Sequence, residues 1–425
     1  MTLRLAPLYW VSMASSAVAA SFISQSNDFI LVQTLHARPS DIGIANAIES
    51  FGFLVLSIPL GHLLARFRAS KISAFCALIN ASLVAVLLFS YLSGNLSVNL
   101  IWSITAINGV VAVASGIAGS SQVGRLFADH QIVKVSARRG VVSQTVSVVV
   151  PLLSGFALQA GATPLLLMGA IMCALSASFA SHLLSIYEPF QTRFPGEGAP
   201  AESRDGPLRR IPLILISLLL IVCNASLAFA SSVEVLYQRN DLGMDFGLIG
   251  TGVAIGAVGG VLGAVAAEPI MARFPHHAIQ IASAAALVVA VCLFYSASQV
   301  RPPQAVVLVY VFSFTYAAAM STFNISLFSY VSLGFPPHQL PRVFGVLQTA
   351  GMGCVPLGSL LGGLSGNLLG SSATILIWVG GVVHLLLLSI LAAPALSAYA
   401  ASVANPKAET SRLSGPSGRP PGCSR

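Results

Sequence analysis

Apolar residues fill this chain in twelve runs of roughly 20 residues or more, the length a helix needs to cross a hydrocarbon layer about 30 Å thick. The runs predict helices at 8–34, 42–64, 72–92, 99–123, 140–160 and 163–187. Six more follow at 211–236, 246–271, 278–299, 305–333, 343–369 and 372–395. Polar residues collect in short breaks and in two longer stretches. Residues 188–210 hold Pro189, Pro195, Gly196, Gly198, Pro200, Gly206 and Pro207 among mixed charges, which predicts a flexible linker. Residues 400–425 are rich in Ser, Pro and Gly and predict a disordered tail. The expected organisation is an all-α integral membrane protein, with an N-terminal six-helix half over 1–187 and a second over 211–399.

The two halves echo each other. Ile42-Gly43 matches Ile249-Gly250, Gly52 matches Gly259, and Leu63-Leu64-Ala65-Arg66-Phe67 matches Ile270-Met271-Ala272-Arg273-Phe274. A second echo joins Gly140, Gln144-Thr145 and Pro151 to Gly345, Gln348-Thr349 and Pro356. Duplicated helical halves are a pattern of many secondary transporters. Gly256, Gly259, Gly260 and Gly263, and more loosely Gly351, Gly358, Gly362 and Gly366, form small-residue stripes that predict close helix packing.

Composition supports a bilayer setting: 56% of the 425 residues are hydrophobic and 8% are charged, against roughly 25% charged in soluble domains. The net charge of +8 has a location. Twelve crossings place both termini on one side, and that side receives 18 of the 21 Lys and Arg residues, leaving Arg38, Arg239 and Arg301 on the other. This bias predicts cytoplasmic termini in a cell inner (plasma) membrane and explains the basicity without a nucleic-acid partner. The start, Met1 to Trp10, leads into an apolar span too long for a signal-peptide core and is expected to stay as the first helix. The six cysteines have no metal-ligand spacing and predict apolar packing. No Walker sequence, nucleotide-binding loop or catalytic triad motif points to an enzyme, and no metal or other cofactor is expected.

Four acids fall inside predicted spans: Asp28, Glu49, Glu234 and Glu268. No Lys or Arg lies well inside one, an asymmetry that favours protons, cations, or neutral and weakly basic amphiphiles over polyanions. Asp28 shares a helical face with Ser21 and Gln25, and Glu234 with Ser231 and Gln238. Because the first and seventh helices are repeat partners, related positions each present an acid that burial would poise for proton exchange. Glu49 lies about 10 Å along the second helix and either lines the cavity or pairs across to another helix. Glu268, near Arg273, predicts a salt bridge or a helix-end interaction. Asn108, Tyr316, Asn324, Gln144 and Gln348 are uncharged candidates to complete a cavity, or serve as interhelical hydrogen-bond partners. His62, His182 and His384 read as packing residues.

Twelve helices in two halves, a central linker and a loop signature after the second and eighth helices resemble the major facilitator superfamily. The family's loop motif runs roughly Gly-x-x-x-Asp-Arg-x-Gly-Arg-Arg, with Gly61, Arg66 and Lys71 as counterparts here and Arg273 in the repeat; Ala65 stands in place of the acid and Arg68 in place of the second glycine. Pro151-Leu152-Leu153-Ser154-Gly155 is similar to the end of the family's antiporter motif. Pro341-Arg342-Val343-Phe344-Gly345, continuing to Pro356-Leu357-Gly358-Ser359, resembles the drug-efflux branch that includes macrolide and enterobactin exporters. The resemblance implies a monomeric carrier whose helices 1, 4, 7 and 10 line a central cavity. It implies export of a small amphiphilic molecule, a drug or a secreted metabolite such as a siderophore, in exchange for protons. A proton-symporting nutrient importer and a non-transporting membrane receptor are the alternatives.

Overall fold

The computed structural model describes residues 6–64, 67–127, 129–188, 207–334 and 340–404. Helix follows helix with short connections: α1 (Ala6–Gln33), α2 (Pro39–Leu64), α3 (Ala69–Leu92), α4 (Val98–Leu126), α5 (Asp129–Gln159) and α6 (Thr163–Tyr187). Past residues 189–206, which lie outside the described residues, come α7 (Pro207–Ser231), α8 (Glu234–Leu236), a π-helical turn (Tyr237–Asp241), α9 (Phe246–Met271) and α10 (His276–Ser296). A 3₁₀ turn (Ala297–Gln299), α11 (Pro302–Gly334), α12 (Leu340–Gly353), α13 (Val355–Leu369) and α14 (Ser371–Ala404) complete the described residues. Among the described residues, nine helices are long and apolar enough to cross a membrane. An all-helical layout is what hydrocarbon demands, because each helix satisfies its own backbone polar groups.

Most ends fall close to the apolar runs, and four do not. α5 starts at Asp129 rather than 140, because its first turns are polar and escape a hydrophobicity reading. α7 begins at Pro207, inside the stretch read as linker, and stops at Ser231 rather than 236. The predicted eleventh helix is interrupted at Cys354, where Pro356 lacks an N–H and its ring crowds the preceding turn. α14 continues to Ala404, past the expected end at 395, while residues 405–425 lie outside the described residues.

Close helix crossings depend on glycine. Within the first half, Gly52 and Gly109 seat α2 against α4, so that a Cβ on Gly109 would stand 2.7 Å from the Glu49 carbonyl oxygen. Within the second, Gly259 and Gly263 lie against the Phe314 and Ala318 backbones of α11. The halves meet through two further crossings at the face opposite the start of α1, here called the distal face. Gly43 of α2 packs on Ser359 and Gly363 of α13, and Gly250 of α9 packs on Pro151 and Gly155 of α5. The largest buried cluster lies toward this face and includes Phe29, Tyr237, Phe246, Phe294, Phe312 and Trp378. Large apolar side chains such as Phe89, Leu165, Val265, Leu368 and Leu391 point outward, as lipid-facing positions should.

Candidate central cavity

Three carboxylates converge from different helices. Asp28 lies on α1, Glu49 on α2 and Glu234 at the start of α8, and Asp28 is within electrostatic range of both others. The α2–α4 crossing explains one leg of this arrangement: with Gly109 pressed on the Glu49 backbone, neighbouring Asn108 donates from Nδ2 to Glu49 Oε1 at 3.3 Å. A local break explains another. After α7 ends at Ser231, the Ser232 hydroxyl donates to the Ser359 carbonyl of α13 at 2.8 Å, which turns the chain. Glu234 then opens α8, where Gln238 Nε2 reaches its Oε1 at 3.4 Å. The Tyr237 hydroxyl anchors the π-helical turn to the carbonyls of Phe294 and Tyr295 at 3.3 and 3.1 Å.

Asn46 of α2 donates to the Ser231 hydroxyl at 3.3 Å, a polar bond joining the two halves beside the acids. Tyr316 of α11 is within electrostatic range of Glu234. Its ring leans on Trp378 and Phe312, with centroids 5.4 and 5.5 Å away, and Phe312 stacks on Phe294 at 4.3 Å. The cluster thus has an acidic side and an aromatic side. Arg239, the nearest distal cation in sequence, is engaged elsewhere: it pairs with Asp245 at 3.1 Å and lies over the Phe246 ring. Ionised carboxylates only accept hydrogen bonds, and their mutual repulsion is poorly screened away from water. A proton or a cationic group relieves it.

Other expected residues take varied places. Ser21 and Gln25 lie with Asp28 on the unbroken α1, and both are half-buried, as is Asn324 on α11. Ser231 and Glu234 do not form the regular helical stripe expected of them, because the chain leaves α7 between them. Pro151 and Gly155 form the distal α5–α9 crossing. Lys71 and Arg273 are exposed at helix ends, remote in sequence from the acids. Gly61 lies in α2, while Arg66 falls outside the described residues. Glu268 and Arg273, both described and exposed, form no ion pair with each other.

Sequence reasoning missed Asn46, three residues before Glu49 on α2 and therefore on the same side. It missed the aromatic side because Phe312 and Trp378 look like ordinary apolar filler. It also passed over Arg139, which is ten residues into α5, about 15 Å along its axis and just ahead of the predicted span.

The sequence profile of the Major Facilitator Superfamily matches residues 5–359. The chain belongs to that superfamily. It is a transporter by family, not an enzyme. No protein of curated function matches it in sequence. Solved structures share the fold. A bacterial homologue of the iron transporter ferroportin, captured inward-facing, superposes with a TM-score of 0.71 at 13% identity, over 92% of this chain and 99% of that one. A bacterial homologue of the human lysosomal transporter Spinster, inward-facing and unoccupied, gives 0.70 at 11% identity over 94% and 99%. A point mutant of the nucleoside transporter NupG gives 0.69 at 15% identity over 93% and 99%.

Proposed function

We propose that this secondary transporter is a proton-coupled exporter of a small cationic or neutral amphiphile, working by alternating access between two six-helix halves. The observation that carries this reading is the convergence of Asp28, Glu49 and Glu234 beside the Tyr316–Trp378–Phe312 aromatic side. Carboxylates attract a cationic head or take up protons, and aromatic faces suit both cations and flat apolar bodies. Asp28 is the principal proton carrier in this scheme, with Glu234 and Glu49 as its partners. With cytoplasmic termini, the distal crossings at Gly43 and Gly250 are the outer seal, and twelve crossings return the chain to the cytoplasm. The similarity of Pro151–Gly155 to the antiporter motif favours export of a drug or a secreted metabolite such as a siderophore.

The test uses inverted membrane vesicles with an acidified lumen and a panel of lipophilic cations led by ethidium. Antiport makes the lumen less acidic when a transported cation is added, and Asp28→Asn abolishes the response. A response of opposite sign would replace export with symport. Binding of a cation to purified protein without proton movement would instead favour a receptor.

A further inference from the structure

A polar cavity of about 240 Å³ lies between α1, α3, α4 and α5, and none of Asp28, Glu49 and Glu234 lines it. Its lining includes Arg139, Ser16, Ser73, Ser115, Gln122 and Ser143, and no carboxylate among the described residues. Two glycines one turn apart on α4 make the space. At Gly119 an added Cβ would stand 2.5 Å from a terminal nitrogen of Arg139, so the guanidinium lies directly over that bare backbone. At Gly116 a side chain would extend into open space. Ser115 is engaged with the Cys76 thiol, and Gln122 donates to the Ser70 hydroxyl at 3.2 Å. The hydroxyls of Ser16, Ser73 and Ser143 make no hydrogen bond to another described residue, and Arg139 forms no ion pair with one.

A half-buried guanidinium without a counter-charge among the described residues has lost part of its hydration and gained no ion pair with them. It offers a planar set of N–H donors that matches an oxyanion in bidentate fashion, and three nearby hydroxyls can each donate as well. The volume suits one phosphate-sized group with some of its water, since a water occupies ~30 Å³ in the liquid. Ala20, at the margin of the cavity, precedes Asp28 by eight residues, about 12 Å along α1. The two sites are therefore distinct and opposite in charge.

We propose that this cavity is an oxyanion site built around Arg139, taking a phosphate or phosphomonoester group. The group arrives either free in solution or as the head of an anionic lipid. The site does not depend on the direction of transport or on the role of Asp28.

The intact protein in phosphatidylcholine nanodiscs is titrated with inorganic phosphate, with chloride at matched ionic strength as control, and its thermal unfolding is followed. In parallel, native mass spectrometry counts phosphatidic acid retained from mixed-lipid nanodiscs. Arg139→Gln removes the charge, and Gly116→Leu fills the void while keeping the guanidinium. Phosphate-dependent stabilisation of the wild type, weakened at least tenfold in both variants, identifies a free oxyanion. Retention of phosphatidic acid alone, lost in both variants, identifies a lipid headgroup. Absence of both signals in the wild type, or signals unchanged in a folded Gly116→Leu protein, overturns the proposal.

Discussion

The distal crossings make a quantitative prediction about the balance between conformations. A methyl group added at Gly43 would stand 2.5 Å from the Ser359 carbonyl oxygen and 3.0 Å from the Gly363 Cα. Both are backbone atoms, so neither rotates aside, and the contact becomes ordinary only if α2 and α13 part by about 1 Å, given 3.4 Å as the lower limit of normal contact. Gly250 presents the same problem against Pro151 and Gly155, with distances of 2.5 and 3.1 Å. Overpacking of this kind costs about 1–3 kcal/mol. Only the state with the distal face closed bears that cost, so Gly43→Ala is expected to shift the equilibrium roughly 5- to 150-fold toward a distally open state. Spin labels at Asn95 and Gln299, on exposed distal loops of the two halves and in a protein cleared of native cysteines, report the distance between them. Both Gly43→Ala and Gly250→Ala should move population from the short to the long distance. Gly169→Ala, where an added methyl meets nothing within 4 Å, should not. A distance distribution identical to wild type in both seam variants would refute the reasoning.

Replacing Asp28 with Asn should abolish proton-coupled transport while protein in the membrane stays at the wild-type level; full coupling in that variant removes Asp28 from the mechanism. Glu49→Gln keeps the shape of the Asn108 pair and loses a charge from the acidic side, so transport of a cation should weaken while a neutral substrate is spared. Equal loss for both would instead make Glu49 structural. Gly263→Ala pushes a methyl into the Ala318 backbone within one half, so it should lower the melting temperature without changing the distal label distance; a shift in distance would show that α9 and α11 move apart during gating. Glu188, 2% exposed, accepts from the backbone N–H groups of Ala69 and Ser70 at 2.9 and 2.7 Å and so caps α3. Glu188→Ala should cost about 1.5–3 kcal/mol for these charge-assisted bonds, and an unchanged melting temperature in detergent would argue against that cap.

The candidate site was legible in parts, and physics separates the parts. Carboxylates in apolar helices stand out because membranes make them costly, so Asp28, Glu49 and Glu234 could be picked from sequence. Their meeting could not. It depends on how closely α2 approaches α4 at Gly109 and on where the chain turns after Ser231, both of which are tertiary outcomes. Arg139 escaped for the opposite reason: an apolar-run rule starts a helix at its first greasy turn, whereas α5 starts with polar ones. The Arg139 cavity is therefore invisible to the reasoning that found the acids, although the same cost of burying charge governs both.

The internal echo carried more than a count of helices. Two halves related by a pseudo-two-fold axis along the membrane normal must meet through an interface that repeats itself. If a position in one half touches a second position in the other, the repeat of the first must touch the repeat of the second. Gly43 and Gly250 are such repeats, and they contact α13 and α5 respectively. Pro151 on α5 and Pro356 on α13 form the other echoed pair, and each begins the segment that receives a glycine. The two echoes noticed in the sequence thus lie on the two sides of one repeated helix crossing, shifted by about one turn, since Gly250 meets Pro151 and Gly155 whereas Gly43 meets Ser359 and Gly363. Small residues recur there because backbones press together twice, and in the proposed alternating-access cycle both crossings open together. Substitution at either glycine should therefore give the same direction of shift, a symmetry that chance packing glycines would not share.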